Sequence, residues 1–126
     1  MNTFEAIKQR ITDALIDIGV QTFEYLPARI TPPMAFLVAG SPWIEDGATF
    51  GGFTVRYQVT LVVGQASNEV ATANLDALTA RAIVALDNAG LPLERADEPN
   101  MLAVNNANYM AVNLSLTFAS EIDSAE

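Results

Sequence analysis

The stretch from Phe53 to Val63 alternates apolar and polar side chains more regularly than any other part of the chain. Every second residue from Phe53 to Val63 is apolar, whereas the residues between them are mostly Thr, Arg or Gln. This period of two is typical of a β-strand with one buried face. Its eleven residues would extend about 35 Å, whereas a typical strand has only five or six residues. The chain must therefore build a core against one face of a long strand and leave the other face polar.

Four further segments complete the prediction of a sheet. Tyr109 to Ala119 alternates like the first strand, and Met34 to Ala39 is apolar on both faces, which indicates a central strand. Val20 to Leu26 and Met101 to Asn105 predict two shorter strands. Gly40 to Gly52 is rich in Gly, Ser and Pro, which predicts a long loop.

Two amphipathic helices accompany these strands. The first runs from Thr3 to about Ile18, with apolar residues at intervals of three and four and a capping box formed by Asn2 and Glu5. The second begins at Ser67 or Asn68 and ends near Ala89. The order α-β-β-β-α-β-β predicts a single α+β domain over residues 1–120, in which both helices cover one face of a largely antiparallel sheet. Residues 121–126 predict a short, acidic and frayed tail.

The residue types present argue against catalysis. The chain has no histidine and no cysteine, so the usual proton carrier near neutral pH and the strongest side-chain nucleophile are both missing. Glu94, Asp97 and Glu98 form an acidic group, as do Glu45 and Asp46, but neither has the ligand spacing of a calcium loop. We expect solvated acidic loops, no metal, no cofactor and no enzymatic activity.

Charge also narrows the possible partners. The formal net charge is −9, and the six basic residues are scattered, so specific DNA binding and attachment to anionic membranes are both disfavoured. Charged residues make up 17% of the chain, below the roughly 25% of a typical soluble domain. Such a surface is either hidden against other subunits or belongs to an alanine-rich monomer.

Two groups of residues are candidates for a protein interface. Trp43, Ile44 and Phe50 are apolar residues within the predicted loop, where Trp43 either closes the end of the core or is an exposed anchor for a partner. The polar face of the long strand supplies the second group, whose members are Thr54, Arg56 and Gln58.

Taken together, these segments resemble a known family. The capped helix, the run from Pro32 to Val38, the segment from Trp43 to Gly52 feeding the long strand, and the closing strand from Tyr109 to Leu116 resemble the tail terminator (tail completion) proteins of long-tailed bacteriophages. The resemblance covers nearly the whole chain and rests on order and composition, without a short diagnostic motif.

The resemblance implies a structural protein of the virion that is assembled in the host cytoplasm. Members of the family form a hexameric ring on the last ring of the tail tube, stop tube growth and join the head connector. DNA passes through such a ring without specific binding, and carboxylates around the channel would repel its phosphates. The candidates for lining the channel are Glu45, Asp46, Glu94, Asp97 and Glu98.

Two alternatives stay open. A head-closure or connector subunit of a phage neck would have similar size and acidity. A regulatory domain that binds a small molecule could also place helices on a sheet, but it would need a pocket with convergent polar groups.

Overall fold

The computed structural model describes residues 2–47 and 51–124. In this part of the chain, two helices and six strands follow the order α-β-β-β-α-β-β-β. Their bounds are α1 Thr3–Asp17, β1 Gln21–Phe23, β2 Met34–Asp46, β3 Phe53–Val62, α2 Asn68–Asn88, β4 Leu93–Ala96, β5 Asn100–Val104 and β6 Ala107–Ser120.

The strands form one sheet in the order β1-β2-β3-β6-β4, and β5 pairs with β6 on the same side as β4. All pairs are antiparallel except β1 with β2. The predicted α+β class, the largely antiparallel sheet and the order of the predicted elements are confirmed. The short strand β4 is an addition to that order.

Local signals explain why α1 begins and ends where it does. The Asn2 side chain accepts a hydrogen bond from the backbone of Glu5, and the Glu5 side chain reaches back to the Asn2 backbone. This capping box satisfies amide groups that have no partner within the helix. Gly19 follows the helix with a φ of +83°, a conformation that costs glycine little.

The main core lies between the helices and one face of the sheet. Apolar residues of β3 that the alternation assigned to one face are buried there, together with their partners on β6 and the inner stripes of both helices. The fully buried members include Ile11, Leu15, Leu37, Leu61, Leu75, Leu86, Leu114 and Leu116. Both helices therefore cover one face, as the sequence predicts.

The other face of the sheet is not polar along its whole length. Met34, Phe36, Val62 and Ala111 form a second, smaller buried cluster at the end of the sheet where β2 begins. Partly buried side chains pack against this cluster, namely Phe23, Ile30, Val38, Leu102 and Tyr109. Only the remaining part of this face, towards Thr54, is polar and uncovered.

The prediction of a loop from Gly40 to Gly52 is wrong for its first half. β2 continues to Asp46 through a bulge: Ala39 pairs with Tyr57 and Ile44 with Val55, so the four residues between Ala39 and Ile44 lie opposite the single residue Arg56. Bulges accept glycine and proline, because an extra residue leaves the ladder of hydrogen bonds there. The residues that looked like strand breakers therefore bend a strand without ending it.

The first residues of the predicted tail form hydrogen bonds with α1. Glu121 and Asp123 hydrogen-bond through their backbones to the side chain of Thr3, at 3.2 and 2.7 Å. The Thr3 amide donates a further bond to the Asp123 carbonyl at 3.1 Å. The first part of the tail is therefore held against the start of α1, because the end of β6 and the first turn of α1 lie side by side.

Candidate assembly surface

The sheet face that is turned away from the helices is polar in the part towards Thr54. Thr54, Arg56 and Gln58 point away from the main core, since the residues between them, Val55 and Tyr57, are buried in it. On β6, the partners opposite Arg56 and Gln58 are Thr117 and Ser115, in that order. The outward-pointing residues of the two strands, together with two glutamates, are called the polar face: Thr54, Arg56, Gln58, Ser115, Thr117, Glu45 and Glu94.

Arg56 lies between two carboxylates at the centre of the polar face. Its guanidinium donates a hydrogen bond to Glu45 Oε1 and lies 3.5 Å from Glu94 Oε2. Thr117 Oγ1 donates to the same Glu94 carboxylate. The group therefore connects four neighbouring strands, because Glu45 belongs to β2, Arg56 to β3, Thr117 to β6 and Glu94 to β4.

The titration behaviour of this group follows from those contacts. The hydrogen bond to Glu45 is the largest influence that raises the pKa of Arg56, and the charge of Glu94 adds to it. The hydrogen bond from Thr117, assisted by Arg56, lowers the pKa of Glu94 below its ordinary value of 4.5. Near neutral pH Arg56 and Glu94 are therefore both ionised.

Gly40 makes this packing possible. A Cβ atom at position 40 would lie 2.6 Å from the Cβ of Arg56 and 3.0 Å from its carbonyl carbon. These distances are too short for any side chain larger than hydrogen. The bulge of β2 therefore passes directly beside Arg56.

Of the five acidic candidates for lining a channel, the structure brings Glu45 and Glu94 together around Arg56. Three of them are in strands, not loops: Glu45 and Asp46 in β2, and Glu94 in β4. Asp97 follows β4 and pairs with Arg95 at 3.4 Å. Within residues 2–47 and 51–124, Asp46 and Glu98 have no ion pair, and they are on different segments of the fold. The strand position of Glu94 was not predicted because β4, four exposed residues with two charges, has no apolar alternation to reveal it. Glu45 and Asp46 were expected in the loop from Gly40 to Gly52 and lie instead in the continuation of β2.

Trp43 lies at one end of the core and stays partly exposed. Its ring contacts Phe4 of α1 with 5.1 Å between the ring centroids, so it closes one end of the core. It is nevertheless 43% exposed. Burial raises the pKa of Tyr57, and a side-chain hydrogen bond with Trp43 opposes part of that shift. Ile44 is half-buried opposite Val55, whereas Phe50 lies outside the described residues.

Two contacting residues are absent from the candidates that the sequence provides. Phe4 packs against Trp43, and Thr117 donates a hydrogen bond to Glu94. Alternation on β6 placed Thr117 on the correct face, but its contact with Glu94 depends on the unpredicted strand β4.

Other features of the fold offer less chemistry. Among the described residues, no three acidic side chains are close enough together to hold a metal ion. A groove between α1 and α2 is lined mainly by Ile18, Val84 and Ala85, and its one cation, Arg81, donates to the Ile18 carbonyl. No helix in the described part of the chain is long and apolar enough to cross a membrane.

Comparison with known proteins identifies no relative of this chain. No known family model matches the chain, and a search of curated proteins finds no match either.

Proposed function

We propose that this chain is a structural subunit of a long-tailed bacteriophage, a tail terminator that forms a ring on the tail tube. The ring stops growth of the tube and joins it to the head connector. The subunit works by occupying the end of a polymer and catalyses no reaction. This role is the one implied by the resemblance of the sequence.

The observation that carries the proposal is the polar face. It is broad, uncovered by either helix, and composed mainly of hydroxyl and amide side chains around one internally paired cation. Interface centres are depleted in unpaired charge, because burying such a charge is costly. A face in which Arg56 already has its carboxylates can meet a neighbouring subunit without exposing that cation to an apolar surface.

The acidic balance of the chain supports a channel for DNA. A ring of subunits that each carry −9 would repel a passing phosphate backbone. Asp46 and Glu98 are the better candidates for this task, because Glu45, Glu94 and Asp97 are each close to an arginine. If all five were neutralised and packaging in assembled particles were unchanged, the channel role would be wrong.

Assembly is tested on the protein alone and on tail tubes of the same virus. Light scattering over a concentration series, with negative-stain images, should show six-fold rings in solution or at tube ends. Gln58→Lys places a second cation beside Arg56 and should abolish rings and tube binding. Ala73→Lys, on the exposed side of α2, adds the same charge away from the polar face and should leave both intact.

The alternatives predict different outcomes. Binding to filled heads, without binding to tubes, would identify a head-closure subunit. A chain that stays monomeric at every concentration and binds neither tubes nor heads would refute the proposal. A rise in unfolding temperature with a metabolite pool would instead favour the regulatory domain.

A further inference from the structure

Apolar side chains remain exposed at the end of the sheet where β2 and β6 stop and α1 begins. Trp43 is 43% exposed although it contacts Phe4. Ile122 is 37% exposed and lies between the two tail residues whose backbones bond to Thr3. We call Phe4, Trp43 and Ile122 the aromatic end.

Carboxylates surround the aromatic end on several elements. Glu5 follows Phe4 on α1, Asp46 ends β2, and Glu121 precedes Ile122 in the tail. The acidic residues at this end are Glu5, Asp46 and Glu121, whereas Glu45 lies on the polar face beside Arg56. Among the described residues, Lys8 is the cation on the neighbouring turn of α1.

We infer that the aromatic end binds a partner protein whose contacting surface combines apolar and basic side chains. Tryptophan is among the residues most enriched at the energetic centres of interfaces, and a polar rim around it excludes water. The negative rim selects a positive partner. A second copy, meeting through this same end, would place like charges opposite each other, and DNA phosphates would be repelled. The inference concerns the single subunit and holds whether or not it forms a ring.

Trp43 supplies its own reporter, because it is the only tryptophan in the chain. The probe is a synthetic peptide of alternating Lys and Leu, with a Glu and Leu peptide of equal length as its counterpart. We expect saturable binding of the cationic peptide with a blue shift of Trp43 emission, and no binding of the anionic peptide. Binding should weaken steeply with added salt.

Substitutions then locate the contact. Trp43→Ala should weaken binding of a labelled cationic peptide about thirtyfold, the size expected for an interface centre. Trp43→Phe keeps an aromatic ring against Phe4 and should weaken peptide binding less. This variant controls for misfolding of the Trp43→Ala chain. Met101→Ala, on β5, removes a side chain that is 60% exposed elsewhere and should change nothing.

A second pair of variants separates the rim from the overall charge. Glu5→Gln/Asp46→Asn/Glu121→Gln should weaken binding, and the Gln at position 5 can still serve the capping box. Glu69→Gln/Asp76→Asn/Asp87→Asn removes three charges from α2 and should leave binding of the cationic peptide unchanged. Equal losses in both triple variants, or binding without a change in Trp43 emission, would overturn the inference. So would a concentration-dependent emission shift of the protein alone with a doubling of mass, which would assign the surface to a second copy.

Discussion

Thr12 and Thr22 are two buried threonines whose hydroxyl groups differ in one respect. Thr22 Oγ1 donates to the Val20 carbonyl at 3.0 Å, whereas Thr12 Oγ1, in α1, has no partner among the described residues. Burying a polar group without a hydrogen bond costs free energy, and replacing it by an apolar group of the same shape removes that cost.

We therefore expect Thr12→Val to raise the free energy of unfolding by about 1 kcal/mol. Thr22→Val should lower it by a similar amount, about 1 kcal/mol, because the Val20 carbonyl loses a donor. Urea denaturation of the two variants beside the native chain measures both changes. If Thr12→Val is as destabilising as Thr22→Val, the Thr12 hydroxyl has a partner, such as a bound water.

Glu94 makes stability depend on pH. The hydrogen bond from Thr117 and the neighbouring Arg56 lower its pKa in the folded chain below the ordinary 4.5. A lowered pKa means that the ionised carboxylate stabilises the fold above that value, and that this contribution is lost as the pH falls through the folded pKa. Other acidic residues titrate in the same window, so the test is a difference between variants.

We expect Glu94→Gln to unfold at a lower temperature than the native chain at about pH 7, and the two to converge towards about pH 3. Glu98→Gln, which removes an exposed acid without an ion pair in the described part of the chain, should follow the native chain throughout. A difference for Glu94→Gln that stays constant across this range would show that the charge of Glu94 contributes nothing.

At the scale of elements, β2 shows how a strand can pass through residues that usually end one. Gly40 lies in its bulge, where a Cβ atom would come within 2.6 Å of the Arg56 Cβ. We expect Gly40→Ala to lower the free energy of unfolding by about 1–3 kcal/mol, because backbone atoms on both strands must move apart. Chemical denaturation measures this change.

Gly64 provides the matched control for this prediction. No atom outside its chain neighbours lies within 4 Å of a Cβ built there, and its φ is not positive. Gly64→Ala should therefore change stability by less than about 0.5 kcal/mol. Equal effects at both positions would mean that the loss at Gly40 reflects general glycine flexibility and not contact with Arg56.

The elements differ in how much of them the sequence could predict. The start of α1 depends on Asn2 and Glu5, which are three residues apart, so its capping box is visible locally. The contact of Arg56 with Glu45 and Glu94 depends on the register of four strands, which no local pattern determines. The class of fold and the orientation of the polar face were therefore predictable, whereas the ion pairs that give the face its charge were not.

At the scale of the whole molecule, the start of α1 meets the segment that follows β6. Thr3, the first residue of α1, bonds to the tail through both its amide and its hydroxyl. This contact joins α1 to the segment that follows β6, which contains Ile122 of the aromatic end. These hydrogen bonds thus connect the helix layer to the sheet through residues that are about 120 positions apart in the sequence.

Thr3→Val keeps the shape of the side chain but removes the hydroxyl that serves Glu121 and Asp123. We expect the free energy of unfolding to fall by about 1–2 kcal/mol and the Asp123 amide to exchange its hydrogen faster, since its acceptor is gone. Amides in α2 should show only the smaller, global change. Thr79→Val, whose native hydroxyl has no hydrogen bond within the described residues, should leave the exchange of Asp123 unaltered. Unchanged exchange in Thr3→Val would mean that other contacts hold the tail, and the connection between the chain ends would not depend on this side chain.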